Sequence, residues 1–247
     1  MRENRIAGRI VLAASAALIV VLAVLAFGAV EAHAAVKNGV VRKNGYLYYY
    51  KNGVKVTKDI VKIKGRNYYF SAKGRGFRSL KNKKGNRAMS KVIDHVKFKT
   101  GYTRRQKTRA CYRYIVKMTY LAEPAPDTTA KGWVYKAAKR MADNKGGKCY
   151  GFASLAAVAA RAMGNSDVKV HHGKCKGEND KKWVEHCWVT VGKKVLDGSY
   201  DNSWWVYKGK PSSWKLQYFF KTYDQIKDEH SGKYSVRYKD GDVYTLK

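Results

Sequence analysis

Cysteine is scarce in this chain, with four in 247 residues, at Cys111, Cys149, Cys175 and Cys187. Their spacing matches no dense disulfide framework, which excludes a small stapled scaffold and leaves at least one thiol for chemistry. Cys175 and Cys187 fall on what read as neighbouring strands, so a bridge between them and a free pair both stay open. Acidic residues are equally sparse: 18 Asp and Glu stand against 51 Lys and Arg, a formal net charge of +33. The basic residues are spread along the chain and not gathered in one tail. Such a field attracts polyanions over long range, and colloidal stability alone would not need so lopsided a balance.

Apolar residues are plentiful, 45% of the chain, enough for one domain of ordinary size with a smaller module beside it. At the start, Arg2, Arg5 and Arg9 precede an apolar run from 10 to 30 that ends in Ala32, His33 and Ala34. Residues 1–34 therefore read as a secretory signal with an A-x-A cleavage site, or as an uncleaved anchor, since the run is also long enough to span a bilayer. Either reading puts the remainder outside the cytoplasm, secreted or at the cell surface. The expected polyanions are then those of a bacterial envelope, wall polymers and phospholipid head groups, and nucleic acid is not an expected partner.

Residues 37–80 carry an internal repeat of period twenty: GYLYYYKNG from Gly45 recurs as GRNYYFSAKG from Gly65. Tyr48, Tyr49 and Tyr50 align with Tyr68, Tyr69 and Phe70, and Asn52-Gly53 supplies the positive φ values of a tight turn, so each unit reads as a β-hairpin. One hairpin alone is marginal, which predicts stacking of the units. Residues 81–95 open with Lys, Asn and Gly and few apolar side chains, and read as a basic linker before a domain at 96–247.

In that domain, Tyr112, Ile115, Val116 and Thr119 recur at helical spacing, and Pro124 and Pro126 end the pattern. Residues 132–144 read as a second helix, and 149–163, rich in Ala and Leu and stopped by Gly164, as a third. The period then changes to two, giving strands near Val168, over 183–191 and over 194–200. Helices first and strands afterwards predict an α+β fold with helices packed on an antiparallel sheet.

Cys149 follows Gly146, Gly147 and Lys148 at the start of the third helix, where free N–H groups and the positive end of the macrodipole favour a thiolate. His186 lies in a following strand and Asp197 in the next. An imidazole beside a thiol takes its proton, and a carboxylate at the other ring nitrogen fixes the tautomer. His171, His172, Cys175, His186 and Cys187 also cluster in sequence. Their spacings match no familiar zinc site, and His186 and Cys187 would point to opposite faces of a strand, so no metal is expected. Trp183, Trp188, Trp204 and Trp205 are open to two roles, walling a cleft or packing on the sheet.

GGKCYGFASLAAVAARAMG followed by EHCWVTVGKKVLDGSYD resembles the core of the transglutaminase-like superfamily. The family places a Cys at the start of a central helix, a His in an H-x-W strand segment and an Asp beside it. These positions are Cys149, His186 with Trp188, and Asp197, followed by Gly198 where many members have Pro. The resemblance implies a papain-like Cys-His-Asp site acting on amide bonds without a cofactor, as a peptidase or amidase, as a transglutaminase, or as an inactive relative. The 37–80 repeats resemble choline-binding or cell-wall-binding repeats of bacterial surface proteins, with Tyr or Phe where the choline cage has Trp. That likeness implies that Tyr48, Tyr49, Tyr50, Tyr68, Tyr69 and Phe70 bind peptidoglycan or teichoic acids, and the alternative is that they only pack hairpin on hairpin.

Overall fold

The structure, a computed structural model, describes residues 38–177, 182–228 and 236–246; the signal or anchor read over 1–34 lies outside them. Asn44 and Gly45 sit at φ 51° and 75°, and Lys64 and Gly65 at 46° and 77°. These are the paired left-handed residues that a two-residue hairpin needs, and they explain the period of twenty. The first turn joins β1 (Gly39–Lys43) to β2 (Tyr46–Lys51) and the second joins β4 (Ile60–Ile63) to β5 (Arg66–Phe70). β3 (Val54–Lys55) folds back on β2 through Asn52-Gly53.

The two hairpins do not stack as separate units. β6 (Gly76–Arg78) lies between β2 and β5, so the order β1-β2-β6-β5-β4 makes one sheet. That sheet shares a core with the helices: Tyr46 stacks on Phe98 at 4.9 Å, donates its hydroxyl to the Val96 carbonyl, and accepts from the Phe98 N–H at 3.0 Å. Phe70 is fully buried, which removes it from any exposed ligand cage. Tyr48, Tyr49, Tyr50, Tyr68 and Tyr69 are half-buried.

The linker read over 81–95 is mostly a helix, α1 (Lys83–His95). The Asn82 side chain caps it by accepting from the N–H groups of Lys84 and Gly85, and Ala88, Met89, Val92 and Ile93 are completely buried. Its apolar stripe is confined to the second half, behind the polar opening KKGN, so the composition of the segment hid the period. α2 (Arg104–Val116) begins with a Thr103/Gln106 capping box. Thr119, read as helical, instead starts β7 (Thr119–Tyr120), which pairs in parallel with β8 (Gly146–Gly147). Between them runs α3 (Trp133–Asn144).

α4 (Cys149–Ala162) is buried at every residue except Arg161, as expected of a helix that is apolar all round. It packs on β9 (Val168–Gly177) and β10 (Val184–Val191) and against α1, α2 and α3. With β11 (Lys194–Leu196), β12 (Phe219–Lys221) and β13 (Val236–Leu246) these strands form an antiparallel sheet of order β12-β11-β10-β9-β13. The class is thus α+β, with helices on an antiparallel sheet. The strand read to Tyr200 stops at Leu196, where Asp197 becomes the N-cap of α5 (Gly198–Tyr207). A short α6 (Tyr223–Asp228) precedes β13. Among the described residues no helix is long and apolar enough to cross a membrane.

Candidate active site

The start of α4 is fixed by a close approach of backbone. Tyr120 stands opposite Gly147 in the β7–β8 ladder, Leu121 N–H donates to Gly147 O at 3.0 Å, and a Cβ on Gly146 would lie 2.6 Å from Thr119 O. The paired glycines therefore let β8 lie against β7, and this sets Tyr120 beside the helix start. Lys148, the N-cap, has no side-chain capping bond, and its N–H is taken by Glu123 Oε1 at 3.3 Å. The next N–H, that of Cys149, faces the Tyr120 hydroxyl. Burial first, and then the neighbouring Cys149, push Tyr120 above the ordinary phenol range, so its hydroxyl keeps its proton.

Cys149, His186 and Tyr120 line one cleft of about 490 Å³, together with Lys148, Cys175 and Tyr200. His186 is 6% exposed and Asp197 is fully buried. His186 Nε2 meets Asp197 Oδ2 at 2.6 Å, which leaves Nδ1 for the thiols, and the ring interacts with Cys149 and Cys175. Burial disfavours the imidazolium, but the charge and hydrogen bond of Asp197, with the two thiols, hold His186 well above the usual histidine range. Burial likewise opposes the Asp197 carboxylate, and His186 together with the Tyr200 N–H and Ser199 hydroxyl holds it below the usual range.

Tyr238, Ser199 and Tyr200, which the sequence analysis did not single out, complete this arrangement. Asp197 Oδ2 also accepts from the Tyr238 hydroxyl at 2.9 Å, and Oδ1 accepts from Ser199 Oγ at 2.9 Å and Tyr200 N at 3.2 Å. Asp197 thus caps α5 and orients His186 with the same carboxylate. Trp188, fully buried, lies nearly parallel to the His186 ring at 6.3 Å, and its Nε1 donates to Tyr223 OH at 2.9 Å. Trp188 therefore packs and holds the histidine plane. Trp183, Trp204 and Trp205 are also absent from the lining of the Cys149 cleft.

Cys175 and Cys187 do not bridge. Cys175 pairs with Val184 and Cys187 with His172, an odd offset that sends the two side chains to opposite faces. Cys187 joins the core beneath α4, whereas Cys175 sits with Trp188 and Tyr218 and lies 3.3 Å from Tyr200 OH. His186 and Cys187 also face apart. His171 Nε2 is bound to Thr190 Oγ1 at 2.9 Å, and His172 Nε2 lies 3.3 Å from Glu185, so the histidines read as a cluster are shared between different partners.

The next acidic residue, Asp201, is buried and anchors the site. It accepts from Tyr112 OH at 2.7 Å, Gln217 N at 2.6 Å and Tyr218 N at 3.2 Å. Burial pushes it up to about 7 against those donors. An unfolded Asp titrates near pH 4, so between about pH 4 and pH 7 the unfolded chain sheds a proton that the native chain keeps, and this residue's effect is to lower stability as pH rises. Urea unfolding of Asp201→Asn, compared with the parent across that window, is expected to show a flatter pH dependence.

No curated protein and no solved structure matches the chain. The helix that presents Cys149 and the strands that present His186 and the Asp197 cap all fall within residues 90–208, which match the sequence model of the transglutaminase-like superfamily.

Proposed function

We propose that the protein is a thiol enzyme that cleaves amide bonds through an acyl-enzyme on Cys149, with water as the usual acceptor. The observation that carries this reading is the buried 2.6 Å contact of His186 with Asp197 in the cleft that Cys149 lines. A ring whose charged form is favoured draws the thiol proton. Sγ attacks the amide carbonyl, the C–N bond breaks as His186 returns the proton to the leaving amine, and water, deprotonated by the same ring, releases the acid. The Cys149 N–H and the Tyr120 hydroxyl are the donors for the oxyanion.

Hydrolysis is favoured over transfer to an amine by the walls of the cleft. Tyr120 is 46% exposed and Val184 50% exposed, and the lining holds no tryptophan among the described residues. A transglutaminase must shelter its thioester from water while admitting an amine, and nothing in this lining does so. The test offers a glutamine-containing peptide, wall fragments and a fluorescent primary amine together, with mass spectrometry of the products. The expected outcome is released peptide or ammonia without amine uptake. Amine uptake that disappears in Cys149→Ala would make the enzyme a transglutaminase.

The location and binding partner proposed here are the outer cell surface and its wall polymers, on the strength of the 1–34 segment, the charge and the aromatic hairpins. Deleting the hairpins would unfold the shared core, so the informative variant is Tyr49→Ala with Tyr68→Ala. It is expected to retain wall material several-fold less well while turning over a small soluble peptide as the parent does. Retention lost only on adding salt would credit the surface charge instead.

A further inference from the structure

α2 carries no acidic residue in the sequence RRQKTRACYRYIV. Arg109 and Arg113, followed by Lys117 at its C-cap, stand four apart on one face, and like charges at that spacing weaken a helix. A few basic residues elsewhere in the fold are ion-paired: Lys91 and Lys139 both reach Asp143, and Arg140 reaches Glu123 at 2.8 Å. Arg109, Arg113, Lys117 and Lys97 make no such ion pair among the described residues, although Lys117 Nζ lies 5.8 Å over the Trp205 ring. All four line a cleft of about 680 Å³ between α2 and the end of α1, whose lining contains no carboxylate. It shares no residue with the Cys149 cleft.

The helix ends bordering this cleft would ordinarily repel an anion, because free carbonyls make a C-terminus negative. Here they are covered. Arg75 Nη1 donates to Ile93 O at 2.8 Å and Val96 O at 3.2 Å, and Asn202 Nδ2 donates to Val116 O at 2.7 Å and Met118 O at 2.8 Å. Asp94, the acidic residue of α1, is buried and held by Ser71 and the Lys73 N–H. The cleft therefore offers uncompensated cations at a rise of about 6 Å per step along α2, comparable to the spacing of successive phosphates in an extended polyol-phosphate chain. A single nucleic-acid strand binds a basic groove more tightly when its bases can stack on open aromatic faces. His95 and Tyr114 in this cleft instead stack on each other at 5.4 Å.

We infer that the α1–α2 cleft is a binding site for a phosphodiester polymer of polyol or sugar units, separate from the Cys149 chemistry and independent of it. The test measures binding of poly(glycerol phosphate), oligo-dT and neutral dextran to the full chain over a range of salt concentrations. Two variants of equal charge change are compared, Arg109→Gln/Arg113→Gln/Lys117→Gln and a control with Lys131→Gln/Lys136→Gln/Lys193→Gln, all three exposed. The single variant Arg109→Gln, at an exposed position, covers the case in which the triple variant fails to fold. The expected result is tight binding of poly(glycerol phosphate), weakened about tenfold or more in the cleft variant, with a salt slope shallower by two to three. The control should change less than about twofold, and Arg109→Gln should take about one unit off the slope. Equal weakening by both triple variants, absence of binding by the parent, or tighter binding of oligo-dT at the same residues would overturn the assignment.

Discussion

Replacing Cys149 by alanine is expected to lower peptide turnover by on the order of 10⁴-fold while leaving the chain folded. The thiol stands at the first residue of α4, 3% exposed, and alanine removes one atom while favouring the helix. Whatever stability changes should stay near 1 kcal/mol. Cys175 cannot take over the role, because it is held on β9 against Tyr200 and lacks a helix start behind it. The check is turnover measured beside thermal unfolding. A folded variant that keeps most of its activity would remove the nucleophile from this account.

Asp197→Ala is expected to be damaging in two ways at once. Four donors lose their acceptor, namely His186 Nε2, Tyr238 OH, Ser199 Oγ and Tyr200 N. The buried donors left without an acceptor cost about 1–3 kcal/mol each, and turnover should fall on the order of 10³–10⁴-fold as the ring loses its tautomer and aim. Asp197→Asn keeps an acceptor oxygen, so it should recover much of the stability and little of the turnover. The pH dependence has a definite sign. Asp197 is held low, so its contribution is present above the unfolded value and is lost as pH falls through the native one. His186 is held high, so its contribution is full below its unfolded value and is lost as pH rises through the native one. In Asp197→Ala both dependences should weaken together in denaturant titrations.

The parts of this site that were legible in the sequence are those set by local pattern. α4 announced itself by an Ala-rich run between glycines, and β9, β10 and β11 by alternation, which brought Cys149, His186 and Asp197 into one hypothesis. Tyr238 was not legible, because it reaches Asp197 from β13, 41 residues further on, and no local period reports such a contact. The opposite facing of Cys175 and Cys187 depends on the register Val184↔Cys175, which the length of the connection sets and composition does not. α1 was missed because its apolar face begins only at Ala88. Asn-Gly chemistry marked the Asn52-Gly53 turn between β2 and β3 but not the hairpin turns at Asn44-Gly45 and Lys64-Gly65, and the insertion of β6 between the repeats is a choice of tertiary packing.

The most direct measurement of the central claim is peptide mapping after brief iodoacetamide treatment of the native protein near neutral pH. Burial pushes the Cys111 and Cys187 thiols well above the ordinary range, and Cys175, 1% exposed, is engaged with Tyr200. The predicted result is rapid modification of Cys149 alone, with turnover lost in step with the label. Labelling at Cys175 or Cys111 with Cys149 spared, or full labelling of Cys149 with turnover intact, would contradict it.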